Sequence, residues 1–410
     1  TIRSVTKAYR IENLLSVEEG DELYFITEHE NGHGSPNATR LTGHIRYLGP
    51  APEIRKRVLA HYMPGYPQDR DYSRGLNPYH PFARGHEVGG NMRDAPMLAS
   101  CWFRGDASWE SVARRDLQLA EQAGIEGFLF DYGGGYIGRK NRTLEKPHCW
   151  LKPLATFLDV AKREFPDFRI GLALDQAAGG KDADRRLITI QQFLERFENH
   201  PNLLRKDGKL VFCSYRANAL EPYKGGAAYR EMPDDAVLAN QRAVIAAWKG
   251  IWNTVDREVV FIADLPNAWQ YEKHWAISKP AAKHLYAMWA EAFDGLSAFG
   301  LTDTPEQAET YYPLMAEAAH TAGGIFMAPV WWGWQRVGNR ILMHGSDPLR
   351  HSWKLARELN ADWVQIATWN DYGEESIWVP TINRNYVMVQ LAPYFIEWFR
   401  TGRRPRVGSD

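Results

Sequence analysis

The chain is predicted to fold as an α/β protein, a (β/α)8 TIM barrel with a small N-terminal β appendage. Three observations predict it. Eight short apolar runs of strand length recur from residue 57 onward. Amphipathic stretches with the 3.6-residue period of helices lie between them. The turn after the first run, HYMPGYPQD, is not the Gly-rich phosphate turn of a doubly wound sheet, and GGG at 133–135 does not match the dinucleotide fingerprint. Buried strands that alternate with helices in this number form a barrel.

In chain order, residues 1–50 differ from the rest. ELYFITE and TRLTGHIRYL flank the turn-rich NGHGSPN and read as extended segments, an N-terminal β-rich extension ahead of a barrel over 51–410. RVLAHYMP is the first barrel strand. The polar, aromatic stretch 65–107 is too long for an ordinary connection and reads as a loop that shapes a binding site. SWESVARRDLQLAEQAG is a helix with a Ser N-cap and a closing Gly124. IEGFLFDYG, FRIGLALDQ, KLVFCSYRA and EVVFIADLP are the next four strands. PLATFLDVAKREFP, LITIQQFLERFENHP and AVLANQRAVIAAWKG are the helices between them, and AAKHLYAMWAEA follows the fifth strand. FDGLSAFG, GIFMAPVWW and WVQIATWND complete the strands. TPEQAETYYPLMAEAAHTAGG, DPLRHSWKLARELN and PYFIEWFRTG complete the helices.

Composition narrows the function. The 410 residues carry a formal net charge of −1, which gives no reason to expect nucleic acid or an anionic membrane as partner. Cys101, Cys149 and Cys213 lack metal-type spacing, and an odd number argues against a disulfide framework. No apolar stretch reaches the length of a membrane span. The opening TIRSVTKAYR lacks the signal-peptide pattern. A cleaved signal would place the protein outside the cytoplasm, and otherwise it is cytoplasmic. The 16 Trp, 19 Tyr and 17 Phe suit a large aromatic core, a cleft that stacks planar faces on a ligand, or both.

In such a barrel, chemistry sits at the C-terminal ends of the strands. The first strand ends in His61 and Tyr62, the second in Asp131 and Tyr132, the third in Asp175 and Gln176, and the fourth in Tyr215 and Arg216. The fifth offers Asp264, Asn267 and Trp269. The seventh offers Trp331, Trp332 and Trp334. The eighth offers Trp369, Asn370, Asp371, Tyr372, Glu374 and Glu375. Each carboxylate alone can cap a helix or pair with an Arg, and each Trp alone can be core. Gathered together, the acids raise one another's pKa values and cost stability, which points to a functional cleft.

Metal-dependent hydrolysis on an amidohydrolase pattern would need His-x-His on the first strand, and AHYM has one His. No metal and no cofactor is expected. Glycoside hydrolysis needs one protonated carboxyl and one carboxylate, spaced about 6.5–9.5 Å for inversion or about 5 Å for retention. Asp371 and Glu374, with Gly373 between them, can place both acids in one cavity. The expected ligand is an oligo- or polysaccharide. Its wall would be His61, Tyr62, Asp131, Tyr132, Asp175, Asp264, Trp331, Trp332, Trp369, Asn370, Tyr372 and Glu375. A carbohydrate-binding barrel without turnover is the competing reading.

IATWNDYGEES resembles the TWNDYGES signature of glycoside hydrolase family 71, the α-1,3-glucanases or mutanases. FMAPVWWGW, GSDPLRHSWKLARELNADWVQIA and FDGLSAF resemble the same family's seventh-strand, eighth-strand and sixth-strand segments. LAHYMPGY and RRDLQLAEQAGIEGFLF resemble its opening. The likeness covers most of 57–380 and is strongest over 290–375. It implies an inverting endo-hydrolase on a (β/α)8 barrel that needs no metal, with Asp371 and Glu374 as the catalytic pair. Glu374 is then the expected acid and Asp371 the base, with the opposite assignment open. The chain departs from the family at Glu375 and the following SIWVPT, at FDYG on the second strand, and at ADLPNAW on the fifth. The endo-α-mannosidases of family 99, with a WNEWHEG-like eighth-strand segment, are a more distant likeness.

Overall fold

The computed structural model describes residues 56–64, 108–133, 150–176, 181–224, 232–265, 278–300, 304–333, 335–336, 339–340, 346–372, 374–381 and 384–405. The chain divides into two units, Thr1–Ala51 and Pro52–Asp410. The expected β extension and the long loop 65–107 lie outside the described residues, as do Asn267, Trp269, Trp334 and Gly373.

The second unit is a closed barrel. Its strands are β1 (Arg57–Tyr62), β2 (Gly127–Tyr132), β3 (Arg169–Asp175), β4 (Lys209–Tyr215), β5 (Val259–Asp264), β6 (Gly295–Ser297), β7 (Ile325–Val330) and β8 (Trp363–Ile366). The hydrogen-bonded order is β3-β2-β1-β8-β7-β6-β5-β4, and pairing of β3 with β4 closes the ring. All eight neighbouring pairs are parallel. The helices are α1 (Trp109–Gln122), α2 (Leu151–Glu164), α3 (Ala183–Phe197), α4 (Asp234–Val255), α5 (Lys279–Ala292), α6 (Pro305–Thr321), α7 (Asp347–Glu358) and α8 (Val387–Thr401).

Local chemistry explains the helix starts. The Ser108 side chain accepts the Ser111 N–H at the head of α1, and the Asp182 side chain accepts the Arg185 N–H at the head of α3. Thr304 and Gln307 form a reciprocal capping box at α6. Two helices outrun their sequence expectation. α4 continues through Gly250 to Val255, because Val244, Trp248, Ile251 and Val255 keep one buried stripe unbroken. α8 starts at Val387, before Pro393, because Met388, Val389, Ala392, Phe395 and Ile396 bury a continuous face.

The core has two compartments. Leu59, Leu129, Ala173, Val211, Cys213, Val260, Ile262, Ile325, Met327 and Trp363 cluster inside the ring. A larger cluster fills the space between strands and helices. Strand side chains alternate between faces, so membership of the inner cluster fixes which residues point inward along each strand. Among the described residues, no helix is long and apolar enough to cross a membrane.

Candidate active site

Strand parity decides what reaches the barrel mouth. Leu59, Leu129, Ala173, Cys213 and Ile262 are inner residues. The residues two further along face the same way: His61, Asp131, Asp175, Tyr215 and Asp264. The register agrees, pairing His61 with Leu129, Asp131 with Ala173, Asp175 with Tyr215 and Asp264 with Ser297. The four sequence-predicted polar residues on β1, β2, β3 and β5 therefore converge on one end of the barrel.

Each is held by its surroundings. His61 is buried, and desolvation pushes its pKa down to about 3, so the ring is neutral at ordinary pH. Gln365 Nε2 lies 3.3 Å from His61 Nδ1. An amide N–H₂ can only donate, which leaves the imidazole proton on Nε2. The Phe299 ring meets His61 edge-on at 5.0 Å and Tyr215 at 4.8 Å, bridging β1 and β4 across the mouth. Gly300 follows it at φ +72°, where a Cβ would stand 2.6 Å from the Tyr312 hydroxyl. A residue with a side chain there would displace the turn that aims Phe299. Asp264 Oδ1 accepts the Arg216 N–H at 2.9 Å, and Ser214 Oγ accepts the Asp264 N–H at 3.1 Å.

The segment after β8 folds back as a small antiparallel hairpin. It pairs Asn370 with Ile377 and Asp371 with Ser376. Thr368 organises it: its Oγ1 accepts the Asp371 N–H at 2.9 Å and donates to the Ser376 carbonyl at 2.5 Å. Asp371 Oδ1 accepts the Glu374 N–H at 3.0 Å, so the acid itself shapes the turn that carries Glu374. The hairpin is sewn to β1. Trp369 donates its backbone N–H to the His61 carbonyl at 2.7 Å, and the Asn370 amide exchanges two bonds with the Met63 backbone at 2.7 and 2.9 Å. The Asp371 charge acts on the Asp131 carboxyl, together with that of Asp175. The acids of β2, β3 and the hairpin thus share one electrostatic environment. Glu374 is half-buried at the hairpin tip.

Behind the acids sits Arg186 of α3, fully buried. It donates to the Tyr132 carbonyl at 2.8 Å and to the Asp175 carbonyl at 2.5 Å. Burial lowers its pKa to about 10 against the raising pull of Asp175, Tyr132 and Asp131, so it is charged at neutral pH.

Several sequence expectations need correction. Tyr62 and Tyr132 are the outward neighbours of His61 and Asp131, so they cannot share their face. Both are fully buried: Tyr62 stacks on Phe130 at 4.7 Å, and Tyr132 meets Phe193 at 6.4 Å. Trp369 and Tyr372 are fully buried too, and Trp369 packs on Phe128 at 5.4 Å. These four rings are core, not sugar platforms. The Asn370 amide is fully buried and committed to Met63. Glu375, at φ +51°, is buried and pairs with Arg384 at 3.3 Å. Trp331 stays beside the mouth, packed with Ala367 and Phe299. Trp332 is half-buried, with the Arg384 guanidinium 3.9 Å above its ring.

The outward ring of Tyr62 ties β1 to α1. Tyr62 Oη donates to Asp116 Oδ2 at 3.0 Å, and Arg115 Nε donates to Asp116 Oδ1 at 2.8 Å, all three groups being buried. Burial raises the Asp116 pKa, while Arg115, Tyr62 and Trp369 pull it down. Tyr62→Phe should therefore destabilise the fold by about 1.5–3 kcal/mol, the worth of a hydrogen bond to a charged group. An unchanged urea midpoint would contradict this.

Sequence reasoning missed Arg186, Phe299, Gln365 and Arg384. Arg186 and Gln365 left a signal, each being a polar residue in an inward slot of an apolar pattern. Among the described residues, no three His, Cys, Asp or Glu side chains are grouped as metal ligands.

No family model matches the chain. The glucan endo-1,3-alpha-glucosidase of Schizosaccharomyces pombe is 23% identical over 273 residues, 65% of this chain and 53% of that protein. The chain therefore spans about half the length of the curated relative it matches. The family 99 endo-α-mannosidase of Bacteroides thetaiotaomicron aligns with a TM-score of 0.56 at 15% identity, over 85% of this chain and 99% of that one. Its complex with bis-tris propane gives a TM-score of 0.58 at the same identity. The structural likeness is one of fold, the (β/α)8 barrel. Both resemblances carried by the sequence motifs, to the α-1,3-glucanases and to the endo-α-mannosidases, are borne out.

Proposed function

We propose that this barrel is a glycoside hydrolase that cleaves α-linkages in a glucan or related polysaccharide by inversion. The observation that carries the reading is the Asp371 hairpin, fixed to the end of β1 over a mouth lined by His61, Asp131, Asp175 and Asp264. In this reading Asp371 takes a proton from a water that attacks the anomeric carbon. Glu374 gives its proton to the departing glycosidic oxygen. Asp371 suits the basic role because the Glu374 N–H it accepts favours its ionised form. Phe299 and Trp331 supply apolar faces at the mouth.

Endo-cleavage of an α-mannan is the second reading. The match along almost the whole family 99 chain favours it, as does the departure from family 71 at Asp131. The test is incubation with α-1,3-glucan, other α-glucans, β-glucans and α-mannans, followed by an assay for new reducing ends. Release from an α-linked glucan supports the first reading and release from α-mannan the second. Binding to a polymer without release from any would reduce the protein to a carbohydrate-binding barrel.

A further inference from the structure

Three carboxyl groups crowd one side of the barrel mouth: Asp131, Asp175 and Asp371, with 3%, 8% and 6% of their surface exposed. Asp131 pairs in register with Ala173, so Asp175 stands one inward step higher on the adjacent strand. The charges that act on Asp131 are Asp175 on β3, Arg186 on α3 and Asp371 on the hairpin, and the neutral His61 stands on the adjacent strand β1. Arg186 directs its hydrogen bonds at the Tyr132 and Asp175 carbonyls, not at the Asp131 carboxyl.

The three acids are not equivalent. Asp371 accepts a backbone N–H, which favours its charged form. Asp131 is the most enclosed, and among the described residues its Oδ1 is buried without a hydrogen-bond partner. An ionised Asp131 would put a bare charge in a desolvated place beside two like charges. A protonated Asp131 removes that charge and gains an O–H to donate.

We propose that Asp131 stands in the cleft at neutral pH as a neutral carboxylic acid and donates its O–H to an oxygen of the bound sugar. An ordinary cleft aspartate would accept from a sugar hydroxyl instead, so the residue selects for an acceptor oxygen at that point. Desolvation pushes the Asp131 carboxyl well above its usual range. Asp175 and Asp371 add to the shift, and Arg186 opposes it. The identity of the accepting oxygen rests on the hydrolase reading, whereas the protonation does not.

The stability consequence has a definite sign. The native carboxyl keeps its proton above pH 3.8, where an unperturbed Asp releases it. The folded state then binds more protons than the unfolded state, so stability falls as pH rises from there through the folded pKa. Asp131→Asn removes that slope.

The experiment compares wild type, Asp131→Asn, Asp131→Ala and Asp175→Asn. Difference infrared spectra at neutral pH should show the carbonyl stretch of a protonated carboxyl in wild type that Asp131→Asn lacks. The melting temperature of Asp131→Asn should be flatter with pH and higher at neutral pH. On the polymer that is cleaved, Asp131→Asn should lose less of kcat/KM than Asp131→Ala, because its amide N–H still donates, and any decline at high pH that remains in it should be that of Glu374 alone. Asp131→Ala should lose roughly tenfold. Glu374 contributes equally to both proteins, so absence of the band from the wild-type minus Asp131→Asn difference spectrum overturns the proposal. So does Asp131→Asn being as damaged as Asp131→Ala, or Asp175→Asn being the benign variant. If no polymer is cleaved, the hydrolase reading falls, and the infrared and melting data still decide the state of Asp131.

Discussion

Asp371→Asn should lower kcat about 10²–10⁴-fold, the contribution of a general acid or base, and leave the fold intact. The fold should survive because the asparagine oxygen can still accept the Glu374 N–H, and the backbone bond from Asp371 to Thr368 is untouched. Glu374→Gln should show a loss of similar size. If both residues act on the bond being broken, as proposed, KM should change far less than kcat. The measurement is the steady-state rate on the cleaved polymer, with a urea melt of each variant beside it. Near-normal turnover in either variant would remove that residue from the reaction.

Arg186→Met should be the most destabilising single change at the site, by about 3–5 kcal/mol, as when one partner of a buried ion group is removed. Two buried carbonyls, those of Tyr132 and Asp175, would lose their donor. Asp131 and Asp175 would lose the cation set against them. The loss should grow as pH rises, since more of the carboxyl groups are then ionised. It should appear as a lower urea midpoint with an unchanged slope. Arg186→Lys should recover only part of it, because an ammonium cannot make both forked bonds in the same geometry. A midpoint within error of wild type for Arg186→Met would mean that the guanidinium does not support the acids.

The barrel was legible because its eight runs are short, apolar and separated by helix-period stretches. The site was legible in part. The strand-end acids could be named, but His61 and Tyr62, or Asp131 and Tyr132, could not be sorted into inside and outside. Parallel barrel strands are buried on both faces, so their hydrophobicity does not alternate. Only the inner cluster around Leu59 and Leu129 reveals the parity. Trp369 shows the same limit for aromatics, since residue type alone does not separate a sugar platform from a core ring. Glu375 looked like an extra cleft acid because its partner, Arg384, comes from beyond the hairpin. Phe299 gave no sign because FDGLSAFG reads as plain strand and turn. Its place at the mouth comes from the Gly300 turn and its contacts with His61 and Tyr215.

The anomeric form of the first-released product, followed by NMR on the α-linked polymer that yields new reducing ends, tests the central claim most directly. Inversion by Asp371 and Glu374 predicts that the β-anomer appears first and the α-anomer grows in by mutarotation. An α-anomer at the earliest times, or no released sugar from any α-linked polymer, would contradict it.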